Sequence, residues 1–126
     1  MTTLHHIDPQ YREFVTGYLS AAMFTEDPEP GSGEYEPRWD TLPAETIARA
    51  YVECQRFYDD LTDDLRHVVD DDLARAGRDF WYTRNGHGCG FWDGGYEDSI
   101  GTLLTAHAHA YGEVWAEMSD GRLFFL

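Results

Sequence analysis

The sequence contains no lysine, only two cysteines and no long hydrophobic run. The cysteines, Cys54 and Cys89, are too few for a disulfide framework, and neither stands in a zinc-binding spacing such as CxxC. No stretch approaches the roughly 18 apolar residues of a membrane span, and residues 1–7 lack the basic and apolar regions of a secretory signal. We therefore expect a cytoplasmic protein without a metal site or another cofactor.

Positive charge is also scarce, because nine arginines face 24 acidic residues and the net charge is −15 over 126 residues. Binding to DNA, RNA or an anionic membrane depends on Lys and Arg side chains that neutralise phosphates, so we expect no direct binding to these partners. Hydrophobic residues make up 42% of the chain and aromatic residues 15%, which is too many for a disordered protein. The length supports one hydrophobic core, and we expect a single domain over residues 1–126.

The N-terminal part predicts a helix followed by a loop. Asp8 is a suitable N-cap, Pro9 suits the first helical position, and apolar residues recur at helical spacing as far as Met23. Residues 25–40 combine proline, glycine and acidic residues, which is typical of an exposed loop.

Residues 43–76 predict a long helical region with one apolar stripe, a break near Thr62 and an end at Gly77. The side opposite the stripe is strongly acidic. Its acidic residues are Glu45, Glu53, Asp59, Asp60, Asp63, Asp64, Asp70 and Asp71.

The remaining segment, residues 79–126, predicts the order hairpin, helix, hairpin. Residues 79–83 and 91–93 are aromatic and flank an Asn-Gly turn, residues 97–111 have helical spacing, and residues 113–126 contain an Asp-Gly turn. We expect Trp115 to be part of the core. The sequence thus predicts an α+β fold with two or three helices packed on a small antiparallel sheet of about four strands, which form two hairpins in the C-terminal half.

The negative charge is concentrated in two segments, since residues 26–40 carry −5 and residues 59–72 carry −6. On a continuous helix, Asp59 and Asp63 are a like-charge pair one turn apart, which destabilises the helix by a few tenths of a kcal/mol. The acidic helix side has three interpretations: a solvated surface, a divalent-cation site, or an imitation of a nucleic-acid backbone. The cation site is disfavoured because the spacing lacks the glycine turn of a calcium loop.

The imitation of a nucleic-acid backbone rests on spacing. Carboxylates one helical turn apart are separated by about 5–6 Å, which approximates the distance between successive phosphates and suits an Arg/Lys-lined groove on a partner protein. The residues expected to face that partner are Asp59, Asp60, Asp63, Asp64, Asp70 and Asp71, with Glu34, Glu36 and Asp40 as a secondary patch.

The aromatic and glycine-rich segment 79–95 is the alternative site. Four polar residues close together in it, Arg84, Asn85, His87 and Asp93, could serve a small enzyme or a ligand-binding domain. In the enzymatic version His87 is a base and Cys89 a nucleophile, but the sequence identifies no third group to orient them.

The string DFWYTRNGHGCGFWDGGY, followed by a helix and the ending GEVWAEMSDGRLFFL, resembles a group of small proteins of poorly characterised function that are encoded by phages, plasmids and other mobile elements. The resemblance covers residues 75–126 and brings no activity or catalytic residue with it. It implies a genomic setting in which small acidic proteins often block host defences. The acidic first half is similar in character to DNA-mimicking anti-CRISPR and anti-restriction proteins.

We therefore expect a non-enzymatic inhibitor of a host nucleic-acid-binding defence complex, most readily a CRISPR effector complex and next a restriction enzyme. It would occupy the basic DNA-binding surface of that complex in the cytoplasm of an infected or element-carrying bacterium, as a monomer or weak dimer. The alternative is an enzyme or ligand-binding domain centred on residues 79–95. A third possibility is an interaction module that dimerises through its terminal strand.

Overall fold

The computed structural model of the protein describes residues 7–26, 42–93, 95–119 and 122–126. Within them, five α-helices, a short 3₁₀ helix and two antiparallel strands form an α+β fold. The predicted fold class agrees with this, but the expected two or three helices and about four strands do not. The elements are α1 (Pro9–Thr25), α2 (Ala44–Asp59), α3 (Asp63–Val69), the 3₁₀ helix (Asp70–Asp72), α4 (Leu73–Arg84), α5 (Asp98–His109), β1 (Ala116–Ser119) and β2 (Arg122–Phe125).

The first helix forms as its sequence predicts. The Asp8 carboxylate accepts a hydrogen bond from the Gln10 amide at 3.1 Å, and Pro9 occupies the first turn. The predicted apolar side of α1 is buried. Its buried members include Tyr11, Phe14, Val15, Tyr18, Leu19, Ala22 and Met23.

The predicted helix break near Thr62 is confirmed. The Thr62 hydroxyl caps α3 by accepting a hydrogen bond from the Leu65 amide at 3.3 Å. Asp59 and Asp63 therefore do not stand on one continuous helix, and the like-charge penalty expected for that pair does not apply. Asp63 instead lies in the first turn of α3, where the positive end of the helix dipole stabilises a carboxylate.

The predicted end at Gly77 and the predicted hairpin over residues 79–93 are wrong, because α4 runs through Gly77 to Arg84. A Cβ at Gly77 would lie 2.0 Å from the carbonyl oxygen of Phe14, and one at Gly17 would lie 1.9 Å from that of Ala74. The two glycines allow the backbones of α1 and α4 to touch. This contact, and the burial of the aromatic side chains of α4, outweigh the strand preference of those residues.

The C-terminal hairpin is confirmed. Strands β1 and β2 pair in antiparallel register from Ala116 opposite Phe125 to Ser119 opposite Arg122. The Asp-Gly pair at 120–121 lies outside the described residues. The predicted helix before the hairpin corresponds to α5, which buries Leu104.

A cluster of aromatic rings at the centre of the core joins the helices. The ring centroids of Phe57 and Phe80 lie 4.2 Å apart, and Phe57 also stacks on Phe91 at 5.7 Å and on Phe14 at 5.8 Å. These contacts connect α1, α2 and α4 with the loop that precedes α5. In the part of the chain that the structure describes, no helix has the length and apolar character needed to cross a membrane.

Candidate functional site

Six of the aspartates predicted to face a partner lie around the junction between α2 and α3 and along the 3₁₀ helix. All six are exposed to solvent. We call them the acidic surface. Its members are Asp59, Asp60, Asp63, Asp64, Asp70 and Asp71.

Two carboxylates of the acidic surface are held by tyrosines of the core. The Tyr11 hydroxyl in α1 donates a hydrogen bond to Asp59 at 2.7 Å, and the Tyr58 hydroxyl in α2 donates one to Asp70 at 2.8 Å. The two rings meet edge to face with centroids 5.7 Å apart. The end of α2 and the end of α3 are therefore tied together through this tyrosine pair.

A third carboxylate, that of Asp60, accepts a hydrogen bond from the Tyr111 hydroxyl at 3.4 Å. Burial, followed by the negative charge of Asp60, raises the pKa of Tyr111 to about 12. The hydrogen bond to Asp59 raises the pKa of Tyr11 in the same direction. These hydroxyls thus remain neutral, and they orient the carboxylates without cancelling their charge.

The other three members of the acidic surface have different surroundings. Asp63 forms an ion pair with Arg66 one turn along α3. Asp64 and Asp71 make no hydrogen bond or ion pair with the described residues. Glu34, Glu36 and Asp40, the predicted secondary patch, lie outside the described residues.

The alternative site is not a hairpin, and its arginine is buried. The Arg84 guanidinium donates to the carbonyl oxygens of Gly112 at 2.8 Å and Tyr111 at 3.0 Å and to the Tyr18 hydroxyl at 3.2 Å. It also forms an ion pair with Glu53, a residue that the sequence places on the exposed acidic side of α2. Arg84 therefore joins α1, α2, α4 and the segment after α5.

Two further residues of the alternative site, Asn85 and Asp93, also form hydrogen bonds with backbone groups. The Asn85 side chain accepts a hydrogen bond from the Val114 amide at 2.8 Å and donates one to the Trp81 carbonyl at 3.0 Å. The Asp93 carboxylate accepts a hydrogen bond from the Gly90 amide at 2.9 Å. Asn85 therefore joins the end of α4 to the segment before β1, and Asp93 bonds within the loop that follows α4.

The suggested nucleophile and base have few features of a catalytic pair. Cys89 and His87 are both exposed, and the His87 ring lies edge-on to Tyr82 with centroids 5.8 Å apart. Desolvation and the negative charge of Asp93 raise the pKa of Cys89, whereas an activated thiol needs a lowered pKa.

A cavity of about 310 Å³ lies where α1 and α4 end. The sequence alone does not predict this cavity, because its lining residues come from three segments that are distant in the chain. Trp115, which the sequence predicts as a core residue, is 73% exposed at this cavity. We call it the tryptophan groove. Its principal lining residues are Glu26, Trp81, Asn85, His87, Glu113 and Trp115.

The chain matches no protein-family model, no curated protein and no solved structure. The resemblance to mobile-element proteins over residues 75–126 thus stays a prediction. Among the described residues, no group of three or more His, Cys, Asp or Glu side chains is arranged to hold a metal ion. The acidic surface and the tryptophan groove are therefore interpreted from their own geometry.

Proposed function

We propose that this protein inhibits a host nucleic-acid-binding defence complex, with a CRISPR effector complex as the first candidate and a restriction enzyme as the second. It binds the Arg- and Lys-rich DNA-binding surface of that complex through the acidic surface, where carboxylates take the place of backbone phosphates. The proposal requires no catalytic turnover and no direct contact with nucleic acid.

The position of the tyrosine-held aspartates carries the proposal. Asp59 is the last residue of α2, Asp60 caps the same end, and Asp70 caps the end of α3. A negative charge at this end of a helix is unfavourable by about 0.3–1 kcal/mol, because the helix dipole is negative there. Each of the three carboxylates nevertheless receives a hydrogen bond from a tyrosine hydroxyl. A surface that serves only solubility needs neither these positions nor these tyrosines.

Oriented carboxylates favour binding to a cationic surface in two ways. The partner's Arg and Lys side chains meet charges that are already in place, so less conformational entropy is lost on association. Counterions released from both surfaces add to the affinity at low salt, as they do when a protein binds DNA. Residues 59–72 contain seven aspartates and one arginine, so little of this charge is neutralised within the segment.

The choice of a defence complex as the partner has separate support. It depends on the resemblance of residues 75–126 to proteins of mobile elements, which benefit from blocking host nucleases. The charge argument alone supports a wider class, namely any protein with a basic groove for nucleic acid.

The first experiment compares two variants with the same change in net charge. The acidic-surface variant replaces Asp59, Asp60, Asp63 and Asp64 by Asn. Its matched control replaces four other exposed acidic residues by their amides. These are Glu45, Glu97, Asp98 and Glu117.

Both variants are assayed for competition with DNA on a purified CRISPR effector complex and on a restriction endonuclease. We expect the acidic-surface variant to lose competition and to lower the slope of log K against log salt by up to about four, because each lost contact removes about one. The control variant should compete like the wild type. Equal loss in both variants, or wild-type competition by the acidic-surface variant, would contradict a localised binding surface.

A second experiment tests orientation separately from charge. Replacing Tyr11 and Tyr58 by Phe removes both hydroxyls and leaves the net charge at −15. We expect weaker competition with DNA, because the carboxylates of Asp59 and Asp70 lose their fixed orientation. Unchanged competition by this variant would show that the tyrosines serve only the fold.

A further inference from the structure

We propose that the tryptophan groove is a second binding site, separate from the acidic surface, and that it takes a small organic cation with an ammonium or guanidinium group. The proposal goes beyond the inhibitory function and shares none of its residues. It rests on the juxtaposition of two indole rings, two carboxylates and two helix C-termini around one cavity.

The two indole rings of the groove differ in exposure, since that of Trp81 is buried and that of Trp115 is accessible. Trp81 is almost fully buried, its indole N–H donates a hydrogen bond to the Thr25 hydroxyl at 3.0 Å, and its ring stacks on Phe125 with centroids 5.6 Å apart. Trp115, by contrast, is the most exposed large hydrophobic residue among those described. Tryptophan is the aromatic side chain that attracts cations most strongly.

The electrostatic part of the groove is negative on several sides. Glu26 and Glu113 contribute carboxylates, and Glu26 and Asn85 are also the C-cap residues of α1 and α4. Each of these helix ends adds partial negative charge to the groove. No Lys or Arg belongs to the described lining of the cavity.

The neighbouring arginine does not offset this field. Arg84 precedes the groove residue Asn85 in sequence, but its guanidinium is bound to Glu53 and to two backbone carbonyls in the interior. One N–H of the Asn85 amide donates to the Trp81 carbonyl and the Asn85 oxygen accepts from the Val114 amide, so this side chain adds a polar group but no charge to the groove. A protein of net charge −15 also repels anions at long range.

The size of the cavity limits the ligand. A volume of about 310 Å³ lies at the lower end of the roughly 300–1,000 Å³ typical of small-molecule sites. The groove therefore suits one small molecule and is too small for a folded partner. A tryptophan ring normally contributes to stability when it is buried. Recognition of a cation by the indole ring and a groove carboxylate explains why Trp115 is instead exposed to water.

The test follows the indole N–H signals of the native protein by NMR during titration with three probes. Choline and propylguanidinium are the cations, and 3,3-dimethylbutan-1-ol is the uncharged isostere of choline. We expect the two groove indoles to shift saturably with at least one of the cations and only weakly with the alcohol. The indole signal of Trp92, which is exposed outside the groove, should not move.

Matched variants identify the site. Trp115→Ala should weaken cation binding by about 3- to 30-fold, the range expected for loss of a cation–π contact, whereas Trp92→Ala should leave it unchanged. Glu113→Gln should also weaken binding, and Glu117→Gln should not. Equal binding of the alcohol, equal effects of the two tryptophan variants, or no saturable shift with either cation would overturn the proposal. Because none of these variants alters the acidic surface, such failure would leave the inhibitory function to its own experiments.

Discussion

Replacement of Arg84 by Met tests whether this residue holds the fold or serves a binding site. Methionine keeps much of the side-chain volume but removes the charge and every hydrogen-bond donor. The guanidinium now donates to Gly112, Tyr111 and Tyr18 and pairs with Glu53. The variant therefore leaves two backbone carbonyls and one carboxylate without their partner.

The expected cost follows from burial. The side chain of Arg84 is 2% exposed and that of Glu53 is 22% exposed. Removing one member of a buried ion pair typically costs about 3–5 kcal/mol, and a buried carbonyl left without a donor costs about 1–3 kcal/mol. Because Glu53 can regain some hydration, we expect a total loss of about 3–5 kcal/mol, a large part of the roughly 5–15 kcal/mol that stabilises a domain.

Urea unfolding followed by circular dichroism measures this loss as a lower midpoint at constant slope. The double variant Arg84→Met/Glu53→Gln should lose less than the sum of the single variants, because the carboxylate that is left unpaired has been removed as well. If Arg84→Met lowered the free energy of unfolding by less than about 1 kcal/mol, the structural role would be refuted. Arg84 would then again be a candidate ligand-binding residue.

Two further predictions concern buried positions in α4. Burial raises the pKa of Asp79, against the influence of Arg75, so the folded state should lose stability as the pH rises from the ordinary carboxyl range through that raised pKa. Asp79→Asn should accordingly raise the melting temperature at about pH 7 and have little effect at about pH 3, where the acid is neutral in both states; a constant difference at both pH values would contradict this. Gly77→Ala should destabilise by more than about 1 kcal/mol despite the better helix propensity of alanine, because its Cβ would lie 2.0 Å from a carbonyl oxygen of α1. Gly88→Ala, with no atom within 4 Å of the new Cβ, is the control, and equal unfolding midpoints for the two alanine variants would show that α1 and α4 adjust freely.

The elements that could be predicted from sequence are those with local signals. Asp8 and Pro9 begin α1, Thr62 caps α3, and an Asp-Gly pair separates two strands. Caps and turns act over two to four residues, so they can be recognised without knowledge of the rest of the fold.

Helix α4 could not be predicted in the same way. Its aromatic residues favour a strand and Gly77 suggests a helix end, but packing against α1 outweighs both tendencies. The glycine is required by the close approach of another helix, which a single sequence does not show.

The candidate sites also differ in how far the sequence predicts them. The acidic surface could be predicted because charged residues are excluded from the core unless they are paired, so a run of aspartates must face water. Its tyrosine partners could not, since Tyr11 and Asp59 are 48 residues apart. The tryptophan groove likewise joins Glu26, Trp81 and Trp115, and no local pattern connects them.

By itself, the sequence determined the quantities that depend on composition and short-range order. These are the scarcity of positive charge, the capped helices and the exposed aspartates. Only the tertiary structure decided which charges are free and which are used internally. It pairs Glu53 and Arg84 inside the protein and leaves Asp64 and Asp71 in water, because the cost of burying a charge depends on the partners that folding brings to it.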